Sequence, residues 1–222
     1  MGESESYDNP PAATRHGPEH MLERLIFFSD AVFAIAITLL IIEIHVPHLE
    51  AGASNADYVN ALLKLTPNFI GFIISFFVIG AFWGGHHRSF GCAAHYSDKL
   101  VPANIQLLLT IAAMPFFTAF VSEYSNQRVP VVLYCSWLLL TALLNLRLGR
   151  LATSPPVVDP SVSAETIAGI RRRGLATVLG AATAIIVGVF SPQPIIAQVS
   201  LMSIPLWRVV LGWLAPKPSA ST

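Results

Sequence analysis

The stretch Arg24–Ile44, RLIFFSDAVFAIAITLLIIEI, decides how this chain is read. It is long enough to cross a bilayer core, which takes about 20 predominantly apolar residues. Yet Ser29 and Asp30 stand side by side near its start. An ionisable residue inside a membrane helix is costly, so Asp30 requires a partner.

Successive helical residues turn by about 100°, which sorts this segment into faces. With Ile35 at zero, Leu39 falls at about 40°, Ile42 at about −20° and Thr38 at about −60°. Phe28 lies on the same side, toward the start of the segment. Asp30 falls at about −140°, on another face. One side therefore presents branched apolar groups with a single hydroxyl, and a different side presents the carboxylate. By periodicity alone the apolar face equally suits lipid contact or bundle packing. The Thr38 hydroxyl equally suits a bond to the carbonyl of Ala34, one turn back.

The rest of the chain reads the same way. Of 222 residues, 54% are hydrophobic and 12% charged, where an ordinary soluble domain carries about 25% charge. Mean hydropathy is +0.61. Net charge is +0, so no global basic field addresses nucleic acid. The two cysteines, Cys92 and Cys135, form neither a disulfide framework nor a zinc pattern. No cleavable signal peptide is read, because the first apolar run is too long for an h-region.

Six segments approach spanning length: 22–46, 66–88, 100–121, 129–148, 174–190 and 194–214. The expected fold class is an all-α integral membrane protein with six transmembrane helices, occupying 21–215. The polar, Pro-rich stretch 1–20 and the tail 216–222 read as disordered. Within 149–173, prolines exclude helix from SPPVVDPS, and AETIAGIRRR reads as a short interfacial helix. Eleven of the 13 Lys and Arg fall on one side, leaving Lys64 and Arg128 opposite. That bias puts both termini in the cytosol. Asn145, Thr177, Thr183 and Gln198, isolated in the last three spans, read as packing or interhelical hydrogen-bond positions.

Partners for Asp30 are sought at its own depth. The second span ends on the cytosolic side with Trp83, His86 and His87, and the third begins there with Asn104 about one turn in. A network joining three helices is available, and unpaired polar groups at that depth would cost several kcal/mol each. A proton relay through Asp30 and His86 is the main rival. A metal site falls short of the usual ligand count, since adjacent histidines project about 100° apart.

Arg24-x-x-x-Phe28-Ser29-Asp30 followed by AVFAIAITLL resembles the first helix of the transmembrane protein 175 family of potassium channels, especially its bacterial members. The likeness continues through FWGGHHRSF (Phe82–Phe90) and NIQLLLTIAAMPFFT (Asn104–Thr118). Gly85, where a larger polar residue is expected, and MPFF at 114–117, where a second proline is common, depart from the pattern. The resemblance covers the first three spans only.

It implies a pore without a glycine-rich filter, and nothing like TVGYG occurs here. Bacterial members carry six spans and form tetramers, with the first helices around the axis. Vertebrate members fuse two such units. By position, Ile35, Leu39 and Ile42 would form stacked constrictions and Thr38 a selectivity layer. Ser29 and Asp30 would bond to Trp83, His86 and Asn104, completing a motif with Arg24 and Phe28 that holds the helix in place. Glu43 is a candidate outer-mouth acid, although it lies off the apolar stripe.

The expected function is passive, potassium-preferring cation conduction by a homotetramer in a bacterial cell membrane, with the lipid bilayer and potassium ions as partners and no nucleic acid. No cofactor or resident metal is expected. The alternative is a proton-coupled secondary transporter using Asp30 and His86. An enzyme is disfavoured, since no nucleophile accompanies the histidines.

Overall fold

The structure, a computed structural model, describes residues 18–194 and 196–214. Every regular element there is helical. Helix α1 runs Pro18–Leu39, α2 Asn55–Lys64, α3 Thr66–Phe90, α4 Leu100–Ala112, α5 Met114–Glu123 and α6 Arg128–Ala152. Helix α7 runs Ala164–Phe190 and α8 Ile196–Ser200; after a 3₁₀ turn at Leu201–Ser203, α9 runs Ile204–Trp213. The expected disordered tails lie outside the described residues, except that 18–20 already begin α1.

Among the described residues, five helical stretches are long and apolar enough to cross a membrane: Thr66–Phe90, Leu100–Glu123, Arg128–Ala152, Ala164–Phe190 and Ile196–Trp213. Helix α1 has 22 residues, about 33 Å of rise, but carries Glu23, Arg24 and Asp30 within its apolar run.

Four expected boundaries move. The first segment, read as 22–46, is helical only to Leu39. Beyond it the chain tightens into turns, with Ile42 N–H bonded to Leu39 O (3.1 Å) and Ile44 N–H to Ile41 O (3.2 Å). Pro47 then holds Val46 away from helical geometry. The third segment bends at Ala113, because Pro115 lacks an N–H and its ring clashes one turn back. The short interfacial helix is absent: AETIAGIRRR is the first part of the 27-residue α7, continuous with the fifth span. The sixth segment is interrupted by the 3₁₀ turn, with Pro205 opening α9. Helix α2 was not foreseen from hydropathy. Its start is set by a capping box in which Ser54 Oγ accepts from Asp57 N–H and the Asp57 carboxylate accepts from Ser54 N–H.

Helix α1 packs on α3 and α4 at one edge of the bundle. Helix α6 is central, touching α3, α4, α5 and α7, and α9 closes the opposite edge against α7. Lipid tails are as apolar as leucine, so close backbone approach replaces the hydrophobic effect between such helices. A Cβ on Gly71 would overlap Ser122 Oγ, and one on Gly180 would overlap Ile204. Arg171 ties the basic ends together. It donates to Thr153 O (2.7 Å), Ser154 Oγ (2.8 Å) and Thr153 Oγ1 (3.2 Å), meeting the orphan carbonyl end of α6.

Candidate functional site

Helix α1 has one buried and one open face. Leu22, Leu25, Ser29, Phe33, Ala36 and Leu40 are all buried against the bundle. On the other side Phe28 (51% exposed), Ile35 (57%) and Ile42 (65%) stand open, with Ala31 and Thr38 between them. These open positions advance in alternating steps of three and four residues, the spacing of a seam between packed helices. Leu39 flanks the stripe at 39% exposure. Ile42 lies past the helix end, carried onto the same side by the turn at Leu39–Ile42.

Thr38 Oγ donates into its own helix, 2.9 Å from Ile35 O and 3.1 Å from Ala34 O. With its hydrogen held by the backbone, the exposed oxygen turns lone pairs outward. Glu43 follows in the terminal turn and is half-buried.

The opposite face carries two separate polar arrangements. Ser29 Oγ donates to Leu25 O (2.7 Å) and accepts from Asn104 Nδ2 (2.8 Å). Asn104 Oδ1 faces His86 Nε2 at 3.0 Å. Because the amide nitrogen is spent on Ser29, this bond requires the hydrogen on Nε2. His86 Nδ1 then has no partner among the described residues. The imidazole is clamped by stacking on Phe90 (4.4 Å between ring centres) and by the edge of Phe33 (5.6 Å). All three network members are buried.

Asp30 belongs to the second arrangement. Trp83 Nε1 donates to its Oδ1 at 2.8 Å, and the indole stacks on His87. This bond is exposed, unlike the first. Asp30 and His86 thus bond different partners, and the indole N–H beside Asp30 is a donor only. Arg24 and Phe28, grouped by the resemblance with the bracing residues, enter neither arrangement. Both are exposed, because residues 24 and 28 are one turn apart on the open face.

A second buried network escaped the sequence reading. Thr118 Oγ1 donates to Ser75 Oγ (2.7 Å), which lies 3.0 Å from Tyr134 OH, joining α5, α3 and α6. Hydroxyls in otherwise apolar runs were the available signal, but three residues on three helices share no spacing. Of the isolated polar residues in the late spans, Thr183 receives Trp207 Nε1 across helices (3.2 Å) and Thr177 bonds back to Arg173 O. The place left by Gly85 is met by Asn145, whose Nδ2 would lie 3.1 Å from a Cβ there.

Long apolar helices, polar side chains paired within the bundle and one edge helix presenting an open seam define an integral membrane protein of the helical-bundle class. Residues 24–115 match the family described as Endosomal/lysosomal potassium channel TMEM175. The chain belongs to this family. A potassium channel of Streptomyces collinus is 38% identical over 104 residues, 47% of this chain and 49% of that protein. One from Chamaesiphon minutus is 37% identical over 134 residues, 59% of this chain and 66% of that protein. The chain thus spans about half to two thirds of the length of these curated relatives. The crystal structure of a lysosomal potassium-selective channel TMEM175 homolog from Chamaesiphon minutus superposes with a TM-score of 0.70 at 27% identity. That superposition covers 88% of this chain and 98% of the other.

Proposed function

We propose that the chain is a subunit of a passive, potassium-preferring cation channel in a bacterial cell membrane. Four copies gather their α1 helices around an axis, α1 serving as a sixth span, with both termini in the cytosol. The observation that carries this reading is the open seam of Phe28, Ala31, Ile35 and Thr38, continued by Ile42, opposite the buried line of Leu25, Ser29, Phe33 and Ala36. The naming of its relatives as potassium channels adds to it.

In this arrangement Ile35, Leu39 and Ile42 form aliphatic rings that exclude water when tight and admit ions once widened. Thr38 presents four outward-facing oxygens to a partly dehydrated ion, giving a modest preference rather than the sharp one of carbonyl cages. Ser29 and Asp30, through Asn104, His86 and Trp83, fix the rotation of α1 so that the seam faces the axis. Glu43 attracts cations near the outer mouth. No cofactor or enzymatic step is involved.

The test is flux from purified protein in liposomes, with potassium, sodium and caesium compared and no proton gradient imposed. Conduction driven by the cation gradient alone, favouring potassium, is expected. Transport that appears only with a proton gradient would replace this reading with the coupled transporter.

A further inference from the structure

A cleft of about 120 Å³ opens between α3, α6, α7 and α9, on the side of the bundle away from α1. Its two ends differ in chemistry. At one end Arg88, Arg150, Arg173 and Arg208 converge from four helices, beside the anchored Arg171. At the other the walls are Val78, Leu138, Ala181 and Leu201, with Asn145 and Thr177 between the two zones. From Arg88 to Val78 along α3 is about 15 Å, and from Arg173 to Ala181 along α7 about 12 Å. The Arg88 guanidinium reaches toward the apolar zone, its Nη1 3.3 Å from where a Cβ on Gly84 would stand.

Among the described residues no carboxylate pairs with any of these four arginines; the ion-pair contact present there is His20–Glu23. Like charges gathered in a low-dielectric cleft repel one another and focus a field that an anion relieves. Guanidinium forks match phosphate oxygens in geometry. Basic pockets between membrane helices with apolar surface alongside suit anionic lipid headgroups.

We propose that this cleft binds an anionic phospholipid, its phosphate held by Arg88, Arg150, Arg173 and Arg208 and the first part of its acyl chains against Val78, Leu138, Ala181 and Leu201. The site joins the basic ends of α3, α6, α7 and α9, so occupancy also braces the loop region that α7 extends into.

The test uses the purified full-length protein in detergent, titrated with phosphatidylglycerol, with phosphatidylcholine or with inorganic phosphate, and reads the thermal midpoint. A saturable upward shift with phosphatidylglycerol alone is expected. Arg88→Gln combined with Arg208→Gln should weaken it roughly 25-fold, at about fivefold per arginine. Arg147→Gln, which removes a bond to Gln106 outside the cleft, should leave it unchanged. An equal shift with phosphatidylcholine would overturn the proposal. So would saturation by inorganic phosphate at the same concentration, which would assign the arginines to a soluble anion. Should the double variant fail to fold, photo-crosslinking of a diazirine phosphatidylglycerol to the unaltered protein decides the matter. Labels on the cleft residues that fade with added salt support the site, and labels spread over the bundle surface end it.

Discussion

Asn104 Nδ2 lies 2.8 Å from Ser29 Oγ, joining two helices across 75 residues of sequence. Because the same amide turns its oxygen to His86 Nε2 at 3.0 Å, one side chain satisfies polar groups on both α1 and α3. Asn104→Leu should therefore destabilise the protein by about 1–3 kcal/mol, the cost of leaving a buried donor unmet. Thermal unfolding in detergent measures this, and a midpoint equal to the parent's would deny the network its bracing role.

Trp83 provides the contrast. Its bond to Asp30 is exposed on the single subunit and stands apart from the buried network. Trp83→Phe leaves an exposed acceptor rather than a buried donor without its partner, so it should cost less than Asn104→Leu. Comparing the two variants in the same unfolding assay checks the ordering.

Ile35→Asn addresses the proposed constriction. Replacing an exposed aliphatic ring with amides should let water into a narrow pore, and each 1.4 kcal/mol removed from the barrier raises flux about tenfold. Increased potassium flux in vesicles is expected; unchanged flux from correctly assembled protein would count against Ile35 as a gate.

In the proposed pore Thr38 supplies oxygen rather than bulk. Thr38→Val keeps the shape and removes the lone pairs, so the potassium-to-sodium flux ratio should fall toward unity while total conduction persists. Thr38→Ser should retain the ratio. Equal ratios in all three proteins would remove Thr38 from selectivity.

The exposed helix α2 carries a pH signature. Bonds donated by the Ser54 side chain and backbone hold the Asp57 carboxyl below its ordinary value of 3.8. A depressed carboxylate stabilises above its unfolded value and loses that contribution as pH falls through the folded one. Hydrogen exchange of amides 55–64 should show α2 protected at neutral and mildly acid pH, loosening only below about pH 4. Asp57→Ala should loosen it at neutral pH and remove the difference between neutral and acid conditions.

Much of the bundle was legible in the sequence because a bilayer forces long apolar runs into helices. The placement of the apolar stripe opposite Asp30 followed from the turn per residue alone. The end of α1 at Leu39 was not legible, since Leu40–Ile44 is as apolar as the helix before it. Nor was the continuity of α7 through Arg171–Arg173, because the anchoring of Arg171 on Thr153 and Ser154 joins segments that hydropathy treats separately.

The sequence by itself determined that the chain is an integral membrane protein, which residues share a face of α1, and that Asp30 needs a partner near the start of that helix. Those are consequences of composition and helical period, which act within one segment. Only the tertiary structure decided that Trp83 takes Asp30 while Asn104 takes Ser29 and His86. It also left Arg24 and Phe28 outside both hydrogen-bonded arrangements of the single subunit, joined Ser75 to Thr118 and Tyr134, and gathered arginines from four helices at one cleft. Hydrogen bonds reach about 3 Å, and which side chains come that close depends on how helices distant in sequence are rotated and packed.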